Sequence, residues 1–346
     1  MRLKIKLTIF GIFLLLCLGC NDTPPDNEIK STWTVWEFPD KKAYTLRYFE
    51  PYLYVCAFKN GLWRMDLSAS DSTWEYVAVL EAVGTSRYGI QDVVFDPITK
   101  SLLVARPSED PLEHSLFRSQ DGGQSWIPSD SGMVYGSENE DRDNILVLRK
   151  FETTLFAGGN RVYRSDDGGL TWEMKTGAGS TVLLEQDPNH PNTIWLVGEL
   201  VVLMETMKKS TDFGETWTQV ILDPVDLYVW EIAFTHGDTD RVYLATDMGL
   251  IYTQDGGQSW SKPVVVDSAN TDYVSLVWAD PDNSRHLIVG LGNRLYESID
   301  RGRHWSELET PIINPILSYE YDPATNTLFI GTDSYVYAYK LMAGEN

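Results

Sequence analysis

The sequence predicts an all-β protein built from seven four-stranded units closed into a ring. Three observations carry that prediction. One short motif recurs five times at a near-constant period, the mark of a repeat architecture. Between its copies lie short runs rich in Val, Leu, Ile, Phe and Tyr, parted by Asp, Gly and Pro, which is strand-and-turn composition. The final unit stops one strand short, and a strand of the missing kind stands at the other end of the chain.

The motif is Ser119-Gln-Asp-Gly-Gly-Gln-Ser-Trp126, followed by Ser165-Asp-Asp-Gly-Gly-Leu-Thr-Trp172, Ser210-Thr-Asp-Phe-Gly-Glu-Thr-Trp217, Thr253-Gln-Asp-Gly-Gly-Gln-Ser-Trp260 and Ser298-Ile-Asp-Arg-Gly-Arg-His-Trp305. Its tryptophans are 46, 45, 43 and 45 residues apart. Asp and Gly suit a tight hairpin: the carboxylate accepts backbone N–H groups inside the turn, and Gly takes a positive φ. The Trp then opens the next strand with a large apolar surface for packing between sheets. Asp121, Asp167, Asp212, Asp255 and Asp300, with Trp126, Trp172, Trp217, Trp260 and Trp305, are therefore read as structural.

Upstream of each motif comes a hairpin. Examples are Val93-Val-Phe-Asp-Pro97 with Ser101-Leu-Leu-Val-Ala105, and Tyr319-Glu-Tyr-Asp-Pro323 with Thr327-Leu-Phe-Ile-Gly331. A third strand leads into the motif, as in Arg161-Val-Tyr-Arg164. Asp71-Ser-Thr-Trp74 is a degenerate copy without the Asp and Gly positions. The last unit ends with Tyr335–Leu341, and Ser31-Thr-Trp-Thr-Val-Trp-Glu-Phe38 supplies its fourth strand. Counting Trp33, Trp74 and the five motif tryptophans gives seven units over residues 31–341. Closure leaves no long sheet edge exposed.

These motifs resemble the Asp-box, or BNR repeat, of sialidase-like and xyloglucanase-like β-propellers. The resemblance covers nearly the whole domain and implies a β-propeller, of seven blades by the count above where sialidases have six, with the functional site on the face opposite the Asp-box turns. It is a resemblance of repeat rather than of active site. The sialidase arginine triad and Arg-Ile-Pro motif have no match beyond Arg106-Pro107. Xyloglucanase-type hydrolases need two propellers around a cleft, and this chain has one. Photosystem II assembly-factor propellers are single and seven-bladed, with an arginine-rich partner face.

Ahead of the ring, Arg2, Lys4 and Lys6 precede an apolar run from Leu7 to Leu18. That is a signal-peptide pattern, too short for a comfortable membrane span. Leu18-Gly19-Cys20 resembles a bacterial lipobox, with Cys17 where Leu is usual. The resemblance implies cleavage after residue 19 and a lipid on Cys20. Residues 20–30, polar and Pro-containing, read as a tether, and residues 342–346 as a tail. Asn21, rather than Asp, follows the cysteine, which favours the outer membrane of a bacterial envelope.

The composition bounds the partners. The chain has 346 residues, 43% hydrophobic and 23% charged, with 28 basic against 50 acidic residues and a net charge of -22. An acidic surface lacks the footprint that nucleic acid requires. Three cysteines are too few for a disulfide scaffold or a Cys-rich zinc site. Cys56 lies in an apolar strand and reads as buried and inert. No metal site is assigned, and nothing calls for a cofactor.

Three loops stand out: residues 127–144 with their acids, 106–114 with a lone His114, and 198–209 with an apolar patch. In the innermost strands, Asp92 and Glu231 interrupt an apolar pattern on blades two and five. Arg87 and Tyr88 precede the first; Tyr228 and Trp230 adjoin the second. Aromatics beside carboxylates are what a sugar site contains, and two carboxylates can divide acid and base roles. The competing reading keeps both acids hydrogen-bonded or hydrated inside the channel. The expected function is a non-enzymatic binding or assembly module for a protein or glycan, membrane-tethered by lipid. A glycan-active hydrolase is the alternative.

Overall fold

The computed structural model describes residues 33–40, 42–57, 61–78, 89–108, 113–134, 143–177, 179–199, 205–222, 227–269 and 273–341. The segments read as signal peptide and tether, Cys20, Arg87, Tyr88 and residues 342–346 lie outside the described residues. So do positions 109–112, 135–142 and 200–204 of the three loops.

Seven antiparallel sheets form the ring. Blade one holds β2 (Ala43–Phe49), β3 (Tyr52–Ala57), β4 (Gly61–Asp66) and β5 (Trp74–Ala78). Blade two holds β6 (Asp92–Asp96), β7 (Ser101–Ala105), β8 (Leu116–Ser119) and β9 (Ile127–Pro128). Blade three holds β10 (Val147–Phe151), β11 (Thr154–Gly158), β12 (Arg161–Ser165) and β13 (Glu173–Gly177). Blade four holds β14 (Ser180–Gln186), β15 (Ile194–Glu199), β16 (Glu205–Ser210) and β17 (Thr218–Val220). Blade five holds β18 (Val229–Phe234), β19 (Val242–Thr246) and β20 (Gly249–Thr253). Blade six holds β21 (Val274–Ala279), β22 (Leu287–Leu291), β23 (Arg294–Ser298) and β24 (Ser306–Glu307). Blade seven holds β25 (Ser318–Asp322), β26 (Thr327–Gly331) and β27 (Tyr335–Lys340).

The missing strand of blade seven is β1 (Trp33–Glu37), which pairs with β27 from the opposite end of the chain. Trp33 stacks on its cross-strand neighbour Tyr339 at 4.6 Å and 20°. Aromatic cross-strand pairs add to sheet stability, so the closure is held by packing as well as by the ladder. Ser318 Oγ of blade seven donates to the Ala43 carbonyl of blade one at 2.7 Å.

One blade departs from the four-stranded expectation. In blade five the fourth segment makes a single bridge, Leu250 to Val264. Pro263 interrupts it, and a proline has no N–H for a ladder.

The core lies between blades. The middle of each second strand carries a large buried side chain, including Phe156, Trp195 and Tyr243 at 0% exposure and Phe329 at 3%. The Asp-box turn of the next blade packs on the first three of these rings. A Cβ on Gly214 would lie 2.6 Å from Phe156, and one on Gly257 2.6 Å from Trp195. Both glycines have positive φ, +85° and +93°, so glycine is required twice over. A cation on the third strand secures the turn: Arg64 to the Gly122 carbonyl at 3.2 Å, Arg164 to Phe213 at 3.4 Å, and Lys209 to Gly256 at 3.0 Å.

Candidate functional site

The Asp-box carboxylates are absorbed by their own turns. Asp255 Oδ1 accepts from the Thr253 hydroxyl at 2.7 Å and from the Gln258 and Ser259 amides at 3.0 and 2.9 Å. Asp121, Asp212 and Asp300 repeat the pattern from Ser119 and Ser125, Ser210 and Thr216, and Ser298 and His304. Asp167 does the same with Ser165 and Thr171. Hydrogen bonds to an ionised carboxylate favour that form. The bond from Ser259, then that from Thr253, holds Asp255 down at about 2. Trp126 and Trp217 donate their indole N–H to carbonyls of their own turns, Gly123 and Gly214. Trp172 reaches back to Ser129 of blade two, while Trp260 and Trp305 pack in the core between blades.

These turns share a face with the turns joining first and second strands. Box residues bond to those turns directly: Phe213 to Asn192, Gly256 to Asp240 and Arg301 to Arg285. Strand alternation then puts the starts of the first strands on the opposite face.

The innermost strands bring a charged network into the channel. Asp92 is 2% exposed. Its carboxylate meets Arg47 at 2.9 and 3.0 Å, Arg149 at 2.8 Å and the Leu148 amide at 2.9 Å. Arg149 continues to Glu185 at 2.8 Å, and Arg47 to Glu320 at 3.5 Å. One chain of ion pairs thus runs through blades seven, one, two, three and four. Arg47, Arg149, Glu185 and Glu320 share one register position, opposite Tyr54, Phe156, Trp195 and Phe329 of their second strands.

Glu231 stands beside this network without joining it. Among the described residues no arginine or lysine lies within ion-pair distance of it, and it accepts the Ile232 amide at 3.1 Å. Burial, then the charge on Glu185, pushes its carboxyl up to about 8. Burial pushes Glu320 up to about 7, against the pull of Arg47 and Arg149. A cavity of about 340 Å³ is lined by Glu231, Glu185, Glu320, both arginines and Tyr319. The predicted pair is therefore split in character: Asp92 is sealed by two guanidiniums, and Glu231 faces open space.

Tyr228 and Trp230 stand at the start of β18, on the face away from the Asp-box turns. Their rings lie 6.2 Å apart at 22°. Tyr273, ahead of β21, extends the row at 5.3 Å from Trp230. All three are exposed, by 44%, 45% and 44%. The Asp247 carboxylate and amide bond to the Tyr228 backbone at 3.0 and 3.1 Å, which fixes the row's end. Of the loop residues, His114 pairs with Asp130 at 3.0 Å. Among the described residues no cluster of His, Cys, Asp or Glu has the makings of a metal site.

A family model for the BNR/Asp-box repeat matches residues 163–174 and 251–262. The chain is a BNR/Asp-box propeller. It is 31% identical over 151 residues to the photosystem II assembly lipoprotein Ycf48 of Synechococcus sp. (strain CC9902), covering 40% of this chain and 41% of that protein. It is 22% identical over 322 residues to a xyloglucanase of Hypocrea jecorina (strain QM6a), covering 77% of this chain and 38% of that enzyme. The chain thus spans about two fifths of the length of either relative. Among solved structures it is similar in fold to YCF48 bound to D1 peptide, with a TM-score of 0.64 and 13% identity. That likeness covers 90% of this chain and 97% of the other.

Sequence reasoning on this BNR/Asp-box propeller missed Arg47, Arg149, Glu185, Glu320 and Tyr273. The first four were findable by aligning first strands on the second-strand register, because each faces the same position. Tyr273 sits outside any strand, and only the closed ring brings it beside Trp230.

Proposed function

We propose that this propeller is a non-enzymatic binding module, held at the bacterial cell envelope by lipid on Cys20. It takes a segment of a client protein on the face opposite the Asp-box turns. The row Tyr228–Trp230–Tyr273 carries the reading: contiguous exposed aromatics mark interaction surfaces and are enriched among binding anchors. The similarity to Ycf48, named as an assembly lipoprotein, supports it, as does the fold likeness to a propeller with a bound peptide. The Leu18-Gly19-Cys20 sequence supports the anchor. The sealed Asp92 speaks against the first-named acid and base pair, because a carboxylate held by two guanidiniums has no free lone pair for substrate.

One observation favours the second reading, a glycan-active hydrolase. Glu231 is a carboxyl that stays protonated near neutral pH beside Glu185 and Glu320, as a general acid requires. The xyloglucanase similarity points the same way. Screening the full chain against peptides of envelope proteins and a glycan panel, with both binding and reducing-sugar release recorded, separates the two. Peptide binding lost in Trp230→Ala, with no sugar release, is the expected result.

A further inference from the structure

A cavity lies at the seam where blade seven meets blade one, on the Asp-box face. It measures about 470 Å³, within the range of small-molecule sites. Its origin is legible in the register. Across five seams an Asp-box turn of the following blade packs on the preceding one. Blade one has instead the degenerate segment ending at Trp74, with no Asp-Gly turn. The partner position is altered to match. Ala338 faces Phe329 across β26 and β27, where Arg64 faces Tyr54, Arg164 faces Phe156 and Lys209 faces Trp195. Both the covering turn and the cation that would bond its carbonyl are thus missing together.

We infer that this seam cavity binds a neutral sugar. Its aromatic wall is Phe329 with Trp36 and Tyr48, each tilted 33° to Phe329 at 6.5 and 5.9 Å. Its rim carries the hydroxyls of Thr34, Thr325 and Ser72; the last two donate to Asp322 and to the Ala69 carbonyl and offer their oxygens as acceptors. The rim charges oppose each other, Glu50 against Lys340, and the Asp322 carboxylate is committed to the Ala324 amide and the Thr325 hydroxyl of its own turn. Flat apolar rings beneath a ring of hydroxyls match a pyranose, which has one C–H face and an equatorial edge of hydroxyls. With Glu50 and Asp322 against Lys340 the rim is negative by one charge, so an anionic ligand would be repelled, and a cation would find only Glu50 with uncommitted acceptors, already balanced by Lys340. A peptide turn like those secured by Arg64, Arg164 and Lys209 would lack its cation, because Ala338 stands there. The site lies on the face opposite the Tyr228–Trp230–Tyr273 row and does not depend on what that row holds.

The test uses the full chain with glucose, galactose, mannose, N-acetylglucosamine and their β-linked disaccharides, followed by saturation-transfer NMR. The octapeptide Ser-Gln-Asp-Gly-Gly-Gln-Ser-Trp is the rival probe. At least one neutral sugar should bind saturably, with saturation strongest on its ring C–H protons. Ala338→Arg, which fills the cavity with the guanidinium that Arg64 and Arg164 place at their own seams, should weaken binding by about tenfold or more. Ser72→Phe, on the rim, should do the same and decides the matter if the first variant fails to fold. The inference is overturned if no neutral sugar binds at about 50 mM, if binding survives a folded cavity variant, or if the octapeptide binds where the sugars do not.

Discussion

Asp92 and Glu231 occupy the same register position on blades two and five, opposite Ala105 and Ala245 of their second strands. Asp92 is met there by Arg47 and Arg149, and Glu231 by no cation among the described residues. Equivalent backbone positions thus hold carboxyls of opposite character, and the neighbouring blades decide which is which.

Glu231 gives the protein a pH dependence of definite sign. Its carboxyl ionises at about 8 when folded, raised from 4.5. Between those values the unfolded chain binds fewer protons, so stability falls as pH rises and levels off above 8. Glu231→Gln removes this contribution. Relative to the natural protein, the variant should gain nothing at pH 4 and on the order of 2 kcal/mol at pH 8, because the side chain keeps partial contact with solvent. Denaturant titrations at the two pH values check it.

Arg149 joins Asp92 to Glu185, so its removal leaves a buried carboxylate half-compensated. Arg149→Met should cost about 3 kcal/mol, the usual result of breaking one side of a buried ion pair. Urea unfolding at pH 7 measures it. A cost near zero would mean that Arg47 alone suffices for Asp92.

The Asp-box turns predict the acid limb. The carboxyl of Asp255 lies at about 2, depressed from 3.8, so its stabilisation is present above 3.8 and is lost as pH falls through about 2. Asp255→Asn should melt below the natural protein at neutral pH, with the gap closing toward pH 2. Thermal scans across that window read the difference.

The ring was legible because its signals are local and repeated. Asp, Gly and Trp at fixed spacing specify a turn, and five turns at one period specify the blades. Trp33 opposite Tyr339 confirms the strand exchange that closes blade seven. The channel was only half legible. Asp92 and Glu231 broke an apolar pattern, but Arg47 and Glu320 lie in strands already mixed in character, and their meeting depends on ring closure. The fourth strand of blade five failed at Pro263, where the repeat overrode a local proline in the reading. The seam cavity hid for a related reason: a degenerate motif announces a missing turn, and only the structure shows the space left uncovered.

Trp230→Ala should leave stability nearly unchanged, because the ring is 45% exposed, while abolishing attachment of a client on that face. Loss of an aromatic anchor at the centre of an interface costs about 2 kcal/mol or more of binding. Equal binding by both forms would move the client elsewhere on the ring.

The central claim is binding without turnover. Its most direct test is to incubate the full chain with a peptide that it binds and with a broad glycan panel, and to record product release in both. The account predicts saturable binding, sensitivity to Trp230→Ala and no released product. Sugar release by the natural protein that disappears in Glu231→Gln would contradict it and make the channel an active site.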